Sequence, residues 1–145
     1  MNQVTPPLRK VAERLLTYEA WANLEQVTRR TAAFWVCEKL RPPLATLMGS
    51  AGFRALLLRA LTLVSAETSW RGVVKVKVDG SLEGWDVLES RVSRKEFAEA
   101  SVGLIARLLG LLVAFIGEEL TLRQLRELWP HVTLNDRIAT AEENK

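Results

Sequence analysis

The sequence predicts a mainly α-helical bundle carrying one small β-hairpin, and three observations carry that prediction. Apolar residues recur at helical spacing through most of the chain, residues 73 to 78 alternate instead, and Ser93 to Gly117 is the longest uninterrupted apolar helical pattern. The expected fold is a single-domain bundle of about five helices spanning residues 1–145, with the hairpin at about 73–87 inserted before a long central helix at 93–117. A chain of 145 residues buries roughly two-thirds of the surface its unfolded form exposes, and a hydrophobic content of 48% is ordinary for a folded protein.

Thr5-Pro6-Pro7 is a helix entry, because proline in the first turn lacks an amide that a helix start leaves unpaired anyway. Leu8, Val11, Leu15, Tyr18 and Ala22 follow at helical spacing, and Trp21, Leu24, Val27, Thr31 and Phe34 continue a drifting stripe. One helix to about Leu40 and two helices breaking near Asn23 to Gln26 satisfy this periodicity equally. Arg41-Pro42-Pro43 is expected to end the region, since the residue before a proline is pushed out of helical geometry. A short turn at Leu44 to Met48, a Ser50 cap and a helix from Phe53 to Glu67 come next, with Leu56, Leu57, Ala60, Leu61 and Val64 on one face. Thr68 to Gly72 is a connection.

Val73-Val-Lys75-Val-Lys77-Val78 is rich in β-branched residues and alternates apolar with basic side chains, the period of a half-exposed strand. Asp79-Gly80 signals a tight turn, and Ser81 to Val87 is expected to return as the second strand. A lone hairpin is marginal in water, so it must lie on the helical body or pair with something else.

Ser93 with Glu96 is a capping-box pattern that opens the central helix. Leu104, Ile105, Leu108, Leu109, Leu111, Leu112, Val113, Phe115 and Ile116 cover well over half the circumference and are expected to face a core, and Gly103, Ala106, Gly110, Ala114 and Gly117 share the remaining strip. That strip reads either as an outward face or as the seat of a second helix, from this chain or another copy. Glycine inside a helix costs about 1 kcal/mol relative to alanine, which an exposed face has no reason to bear twice. Arg107 interrupts the run well short of the ~20 apolar residues a bilayer needs, so a buried helix is expected rather than a membrane span. Gly117 is suited to a left-handed cap, and Thr121 with Gln124 forms a second capping box for a helix that Pro130 stops. His131 to Ile138 is expected to fold back on the body, and 139–145 to fray.

Composition excludes several classes. One cysteine rules out an internal disulfide framework and a cysteine-rich zinc site, and MNQVTPPLRK has no apolar signal-peptide core, which points to the cytoplasm. The net charge of +3 is uneven: residues 1 to 71 carry ten Lys/Arg against five Asp/Glu, and residues 72 to 145 ten against twelve. An acidic partner would therefore meet the first half.

Catalytic signals are absent. His131 is the single histidine and sits in a turn, Cys37 lies among apolar residues as a small hydrophobe, and no nucleophile setting is present, so no enzyme activity and no cofactor are expected. Asp79-Gly-Ser81-Leu-Glu83-Gly84 resembles the opening half of an EF-hand loop, but position twelve is Ser90 rather than glutamate, so no metal site is expected. Gly49-Ser-Ala-Gly52 followed by Arg54 and Arg59 has amides and charge for an anion but lacks the lysine and spacing of a P-loop.

Two binding functions remain. Residues 121 to 141 can be drawn as a helix-turn-helix, yet the would-be reading helix bears Asp136 and Glu142 beside one arginine; the basic surplus for nucleic acid lies in Arg9, Lys10, Arg14, Arg29 and Arg30. Protein binding has the stronger support. Among the five tryptophans, Trp70 and Trp85 flank the hairpin where a core is least expected to claim both, and the Lys75/Lys77 strand offers an edge for strand addition. The expected function is a small interaction module, acting as adaptor, accessory subunit or self-associating domain. Its expected contact residues are Trp70, Lys75, Lys77, Trp85, Gly103 and Gly110, the last two on the strip.

Overall fold

The computed structural model describes residues 6–24, 30–65 and 73–134. Among these are six helices and one two-stranded sheet: α1 (Pro6–Ala22), α2 (Ala32–Met48), α3 (Ser50–Ser65), β1 (Lys75–Val76), β2 (Leu82–Glu83), α4 (Trp85–Arg91), α5 (Arg94–Ile116) and α6 (Glu118–Leu128). The mainly α fold with a hairpin between α3 and α5 is the one the sequence predicts.

Helix α5 organises the rest, touching each of the other five helices. Ser93 caps it as the S-x-x-E pattern predicts, its hydroxyl accepting from the Glu96 amide at 3.0 Å. Leu104, Ile105, Leu108, Leu109 and Leu112 are each at most 1% exposed. At about 1.5–3 kcal/mol per buried aliphatic side chain they supply on the order of 10 kcal/mol of gross stabilisation, before chain entropy is counted. Among the described residues α5 is the one helix long and apolar enough to cross a membrane, with a mean hydropathy of 1.9 over its most apolar window. Its leucine face is nevertheless spent on α1, α3 and α6, as in a core helix.

The other helices present matching stripes. Leu8, Val11, Ala12, Leu15 and Leu16 of α1 are buried, as are Phe53, Leu57, Ala60, Leu61 and Val64 of α3 and Leu122 and Leu125 of α6. Residues 6–40 form two helices rather than one, α1 ending at Ala22 and α2 starting after Thr31, whose hydroxyl accepts from the Phe34 amide at 3.3 Å.

Four local expectations are corrected. Pro42 and Pro43 do not end a helix; α2 runs through both to Met48. An internal proline costs about 3 kcal/mol, but Leu40 and Leu44 lie one turn apart on the same stripe as Val36 and Cys37, all at most 1% exposed, and their burial offsets that cost. Ser50 is the first residue of α3 rather than a cap ahead of Phe53; the helix is described as far as Ser65, and the expected end at Glu67 lies outside the described residues. The second strand stops at Glu83, because Gly84 at φ 94°, ψ −2° turns the chain directly into α4. Finally, Thr121 does not open a helix: α6 begins at Glu118, and the Thr121 hydroxyl donates back to the Gly117 carbonyl at 2.7 Å.

Two single-residue corners share one geometry. Gly49 (φ 85°, ψ 154°) joins α2 to α3, and Gly117 (φ 94°, ψ 156°) joins α5 to α6. Gly117 thus has the expected positive φ, but not the left-handed helical ψ. This region of backbone space is essentially closed to residues with a Cβ. Each glycine donates its amide to the helix behind it, and its carbonyl accepts from the amide four residues ahead, Phe53 in α3 and Thr121 in α6, so the chain reverses with no loop.

Candidate functional site

The hairpin is held by local chemistry. Lys75 pairs with Glu83 and Val76 with Leu82 in antiparallel register. Alternation sends Val76 and Leu82 inward at 6% and 2% exposure and leaves Lys75, Lys77 and Glu83 in solvent. Asp79 accepts from the Ser81 amide at 2.9 Å and from its hydroxyl at 2.7 Å, closing the turn. Those two bonds, with Arg41 and Lys77 nearby, hold the Asp79 carboxyl below its ordinary pKa. The EF-hand-like spacing thus builds a turn, and no group of three metal-ligating side chains occurs among the described residues.

The expected edge of β1 is partly occupied. Arg54 of α3 donates to the Lys77 carbonyl at 3.0 Å and to the Val76 carbonyl at 3.4 Å, taking backbone acceptors of the kind a docking strand would use. The same two bonds engage the arginine that follows Gly49-Ser-Ala-Gly52.

Between the hairpin and α2 lies a cleft of about 630 Å³. Periodicity builds its α2 wall: Phe34, Glu38 and Arg41 stand at i, i+4 and i+7, a face adjacent to the buried Ala33, Val36, Cys37, Leu40 and Leu44. Arg30 stacks over the Phe34 ring at 4.6 Å, and Arg41 is ion-paired with Glu38. The Glu38 hydrogen bond raises the Arg41 pKa further, keeping the guanidinium charged. Lys75, Lys77, Asp79 and Glu83 line the opposite wall, with Asp86 and Val87 of α4 beside them. Four cations therefore face four anions.

The expected contact residues are divided by the structure. Lys75 and Lys77 lie on this cleft, and Trp70 and Arg29 are outside the described residues. Trp85 belongs to the core: it is 2% exposed, donates from Nε1 to the Ser101 hydroxyl at 3.0 Å and packs against Phe97 at 6.0 Å. The early start of α4 places that ring against α5, which the strand expected through Val87 would not have done.

Between Gly103 and Gly110 the strip on α5 is filled from within, while Ala114 and Gly117 at its end are exposed. A Cβ at Gly103 would meet Val64 Cγ2 of α3 at 3.0 Å, and one at Gly110 would meet Leu8 Cδ1 of α1 at 3.4 Å. The second helix that the glycines admit thus comes from this chain, twice over.

The basic residues of the first half do not form one patch. Arg9 pairs with Glu99 at 2.7 Å and lies 3.7 Å from Glu13, Arg14 donates to the Thr133 carbonyl at 3.1 Å, and Arg30 is in the cleft. Lys10 and Arg14 remain together on the outer face of α1. The drawn helix-turn-helix has its first helix in α6, while residues 130–134 are non-helical and the remainder is outside the described residues. Cys37 is buried, and burial pushes its thiol up to about 12, as an inert small hydrophobe requires.

Two arrangements escape sequence reasoning. Glu19 is 1% exposed, yet its carboxylate accepts from Trp129 Nε1 at 2.7 Å and Asn23 Nδ2 at 2.8 Å and pairs with Lys39 Nζ at 2.6 Å, joining α1, α2 and the end of α6. The Lys39 ammonium also lies 5.2 Å from the Tyr18 ring centroid and 5.5 Å from that of Trp129. The second is a groove of about 630 Å³ where Tyr18 and Trp21 meet His131, Val132 and Thr133. The one available signal was Glu19 falling on the buried stripe of α1, four residues beyond Leu15. No family model, curated protein or solved structure matches this chain.

Proposed function

We propose that the protein is a small cytoplasmic interaction module without catalysis of its own, and that it docks a protein segment in the cleft between α2 and the hairpin. The observation that carries this reading is the cleft's mixed lining, Arg30, Arg41, Lys75 and Lys77 against Glu38, Asp79, Glu83 and Asp86. A nucleic acid site requires one sign of charge, and a small-molecule site is predominantly apolar with a few convergent polar groups. Interspersed charges suit a polypeptide segment that carries both signs, because such pairing fixes register and rejects wrong partners. Exposed Val78 and Val87, at 88% and 42%, add apolar contact near the charged lining.

The test is native affinity purification combined with a photo-crosslinker at Val87. A partner cross-linked at that position, and lost on the Lys75→Glu/Lys77→Glu double reversal, is the expected result. Both lysines are exposed, but Lys75 stands opposite Glu83, so the variant should melt within about 1 kcal/mol of wild type. A partner insensitive to the reversal, or no cross-link at all, rejects the cleft as the docking site.

A further inference from the structure

We propose that the outer face of α1 is a second binding surface, distinct from the cleft, and that it takes single-stranded nucleic acid. The placement starts from helical arithmetic. Lys10, Arg14, Thr17 and Trp21 are separated by four, three and four residues, which at 3.6 residues per turn sets them along one line of the helix, and all four are exposed. The buried stripe of Leu8, Val11, Ala12, Leu15 and Leu16 occupies the other side.

Trp21 is the unusual member. It is 69% exposed, although tryptophan is the most expensive side chain to leave in water. It lies 6.3 Å from Tyr18 with the rings inclined at 49°, so two aromatic groups stand together at the end of this line. They form one wall of the groove whose other wall is His131, Val132 and Thr133. Arg14 fixes the groove by donating one N–H to the Thr133 carbonyl at 3.1 Å. The groove's carboxylate, Glu13, lies 3.7 Å from Arg9, which lowers its opposition to an anion.

A cationic track leading to an exposed tryptophan, backed by a half-buried tyrosine, is the combination that binds single strands: phosphates follow the cations and a base stacks on the ring, without sequence readout. A duplex keeps its base faces stacked and offers nothing to Trp21. The cleft, with cations and anions in equal number, lacks this polarity. The surface therefore retains Lys10 and Arg14 from the basic residues of the first half and adds Trp21 and Tyr18, which charge counting does not find.

Fluorescence anisotropy of short labelled oligo-dT, oligo-rU and a duplex of equal length, titrated with the full chain over a range of salt, tests this. Saturable binding of the single strands in preference to the duplex is expected. Trp21→Ala should weaken it roughly 5- to 150-fold and Trp21→Phe should restore much of the loss, since either ring stacks. Lys10→Gln and Arg14→Gln should each reduce the salt slope by about 0.7. Trp21 is exposed, so an unchanged thermal melt separates lost binding from lost fold. The Lys75→Glu/Lys77→Glu variant should bind oligonucleotides like wild type, which keeps this result independent of the cleft. Absence of saturable binding at low salt, equal affinity of Trp21→Ala and wild type, full competition by mononucleotide at the same affinity, or capture of a protein through Trp21 without oligonucleotide binding would each overturn it.

Discussion

The strip of small residues on α5 and the Lys75/Lys77 hairpin both read as contact surfaces in the sequence, and the fold treats the strip and the cleft beside the hairpin oppositely. It closes the strip between Gly103 and Gly110, seating Val64 against Gly103 and Leu8 against Gly110. It leaves the cleft open, with charged side chains from α2, the hairpin and α4 facing one another. Small residues at helical spacing permit close approach, and the nearest helices to accept are those tethered in the same chain, because their association costs no translational entropy. Charged residues gain little from burial and remain where solvent or a partner can meet them. A glycine pattern is thus weak evidence for self-association, whereas convergent charge is a surface property that survives folding.

The comparison breaks first on the closed side, at the buried carboxylate joining α1, α2 and α6. Lys39→Met should destabilise by about 3–5 kcal/mol, because Glu19, 1% exposed, would be left charged without its ammonium partner. Glu19→Gln should cost less, about 1–3 kcal/mol, since Lys39 is 38% exposed and rehydrates while the amide oxygen can still accept from Trp129. Urea midpoints at constant m-value measure both, and a larger loss for Glu19→Gln would contradict the asymmetry.

The hairpin side has its own weak point in Gly84. A Cβ there would lie 2.2 Å from the Val73 carbonyl oxygen, at φ 94°, so Gly84→Ala should cost about 3 kcal/mol. The damage should be local: hydrogen exchange should speed at the Lys77 and Gly80 amides, which close the turn, before it speeds in the middle of α5. Uniform loss of protection would mean that hairpin and bundle unfold as one unit.

A pH experiment separates the two faces of α2. On its buried face the Cys37 thiol is raised from 9.0 to about 12, so the native state holds this proton where the unfolded chain releases it. A raised acid favours the native state less as pH rises, so its stabilising contribution is intact below pH 9.0 and declines above it. The slope is about 1.4 kcal/mol per pH unit, ending near the folded-state pKa. Stability of wild type minus that of Cys37→Ala, followed by urea melts upward from pH 8, isolates this group from the lysines and Tyr18. A difference that stays flat with pH would place Cys37 in a wetter site than its 1% exposure implies.

Much of the fold was legible because its signals are local. Ser93 with Glu96 marks a helix start within one residue, Asp79-Gly80 marks the turn, and the stripes of α1 and α3 match their buried faces, as does that of α5 up to Leu112; beyond it Phe115, expected in the core, is 63% exposed. What was illegible depends on partners far along the chain. Burial of Leu40 and Leu44 overrides Pro42-Pro43, and α5 claims Trp85 through Ser101, sixteen residues away. Glu19 meets Trp129 across 110 positions, which no spacing rule connects. The candidate cleft was half legible: Lys75 and Lys77 follow from strand alternation, but its α2 wall required knowing that α2 and the hairpin adjoin.

The smallest predicted effect is the sharpest test of the closed strip, because its sign differs between two glycines on one helix. At Gly110 an added Cβ meets Leu8 Cδ1 at 3.4 Å, an ordinary contact with the end of a flexible side chain. Gly110→Ala should therefore keep most of the ~1 kcal/mol helix-propensity gain and stabilise by about 0.5–1 kcal/mol. At Gly103 the neighbour is Val64 Cγ2 at 3.0 Å, on a β-branched residue with little rotamer freedom and 6% exposure. The same propensity gain is there opposed by overpacking, so Gly103→Ala should be neutral or destabilising. Gly110→Leu exceeds what Leu8 can yield and should lower stability without changing mass by light scattering. An open strip would instead give equal gains at both alanines, and a strip seated on another copy would show Gly110→Leu altering mass.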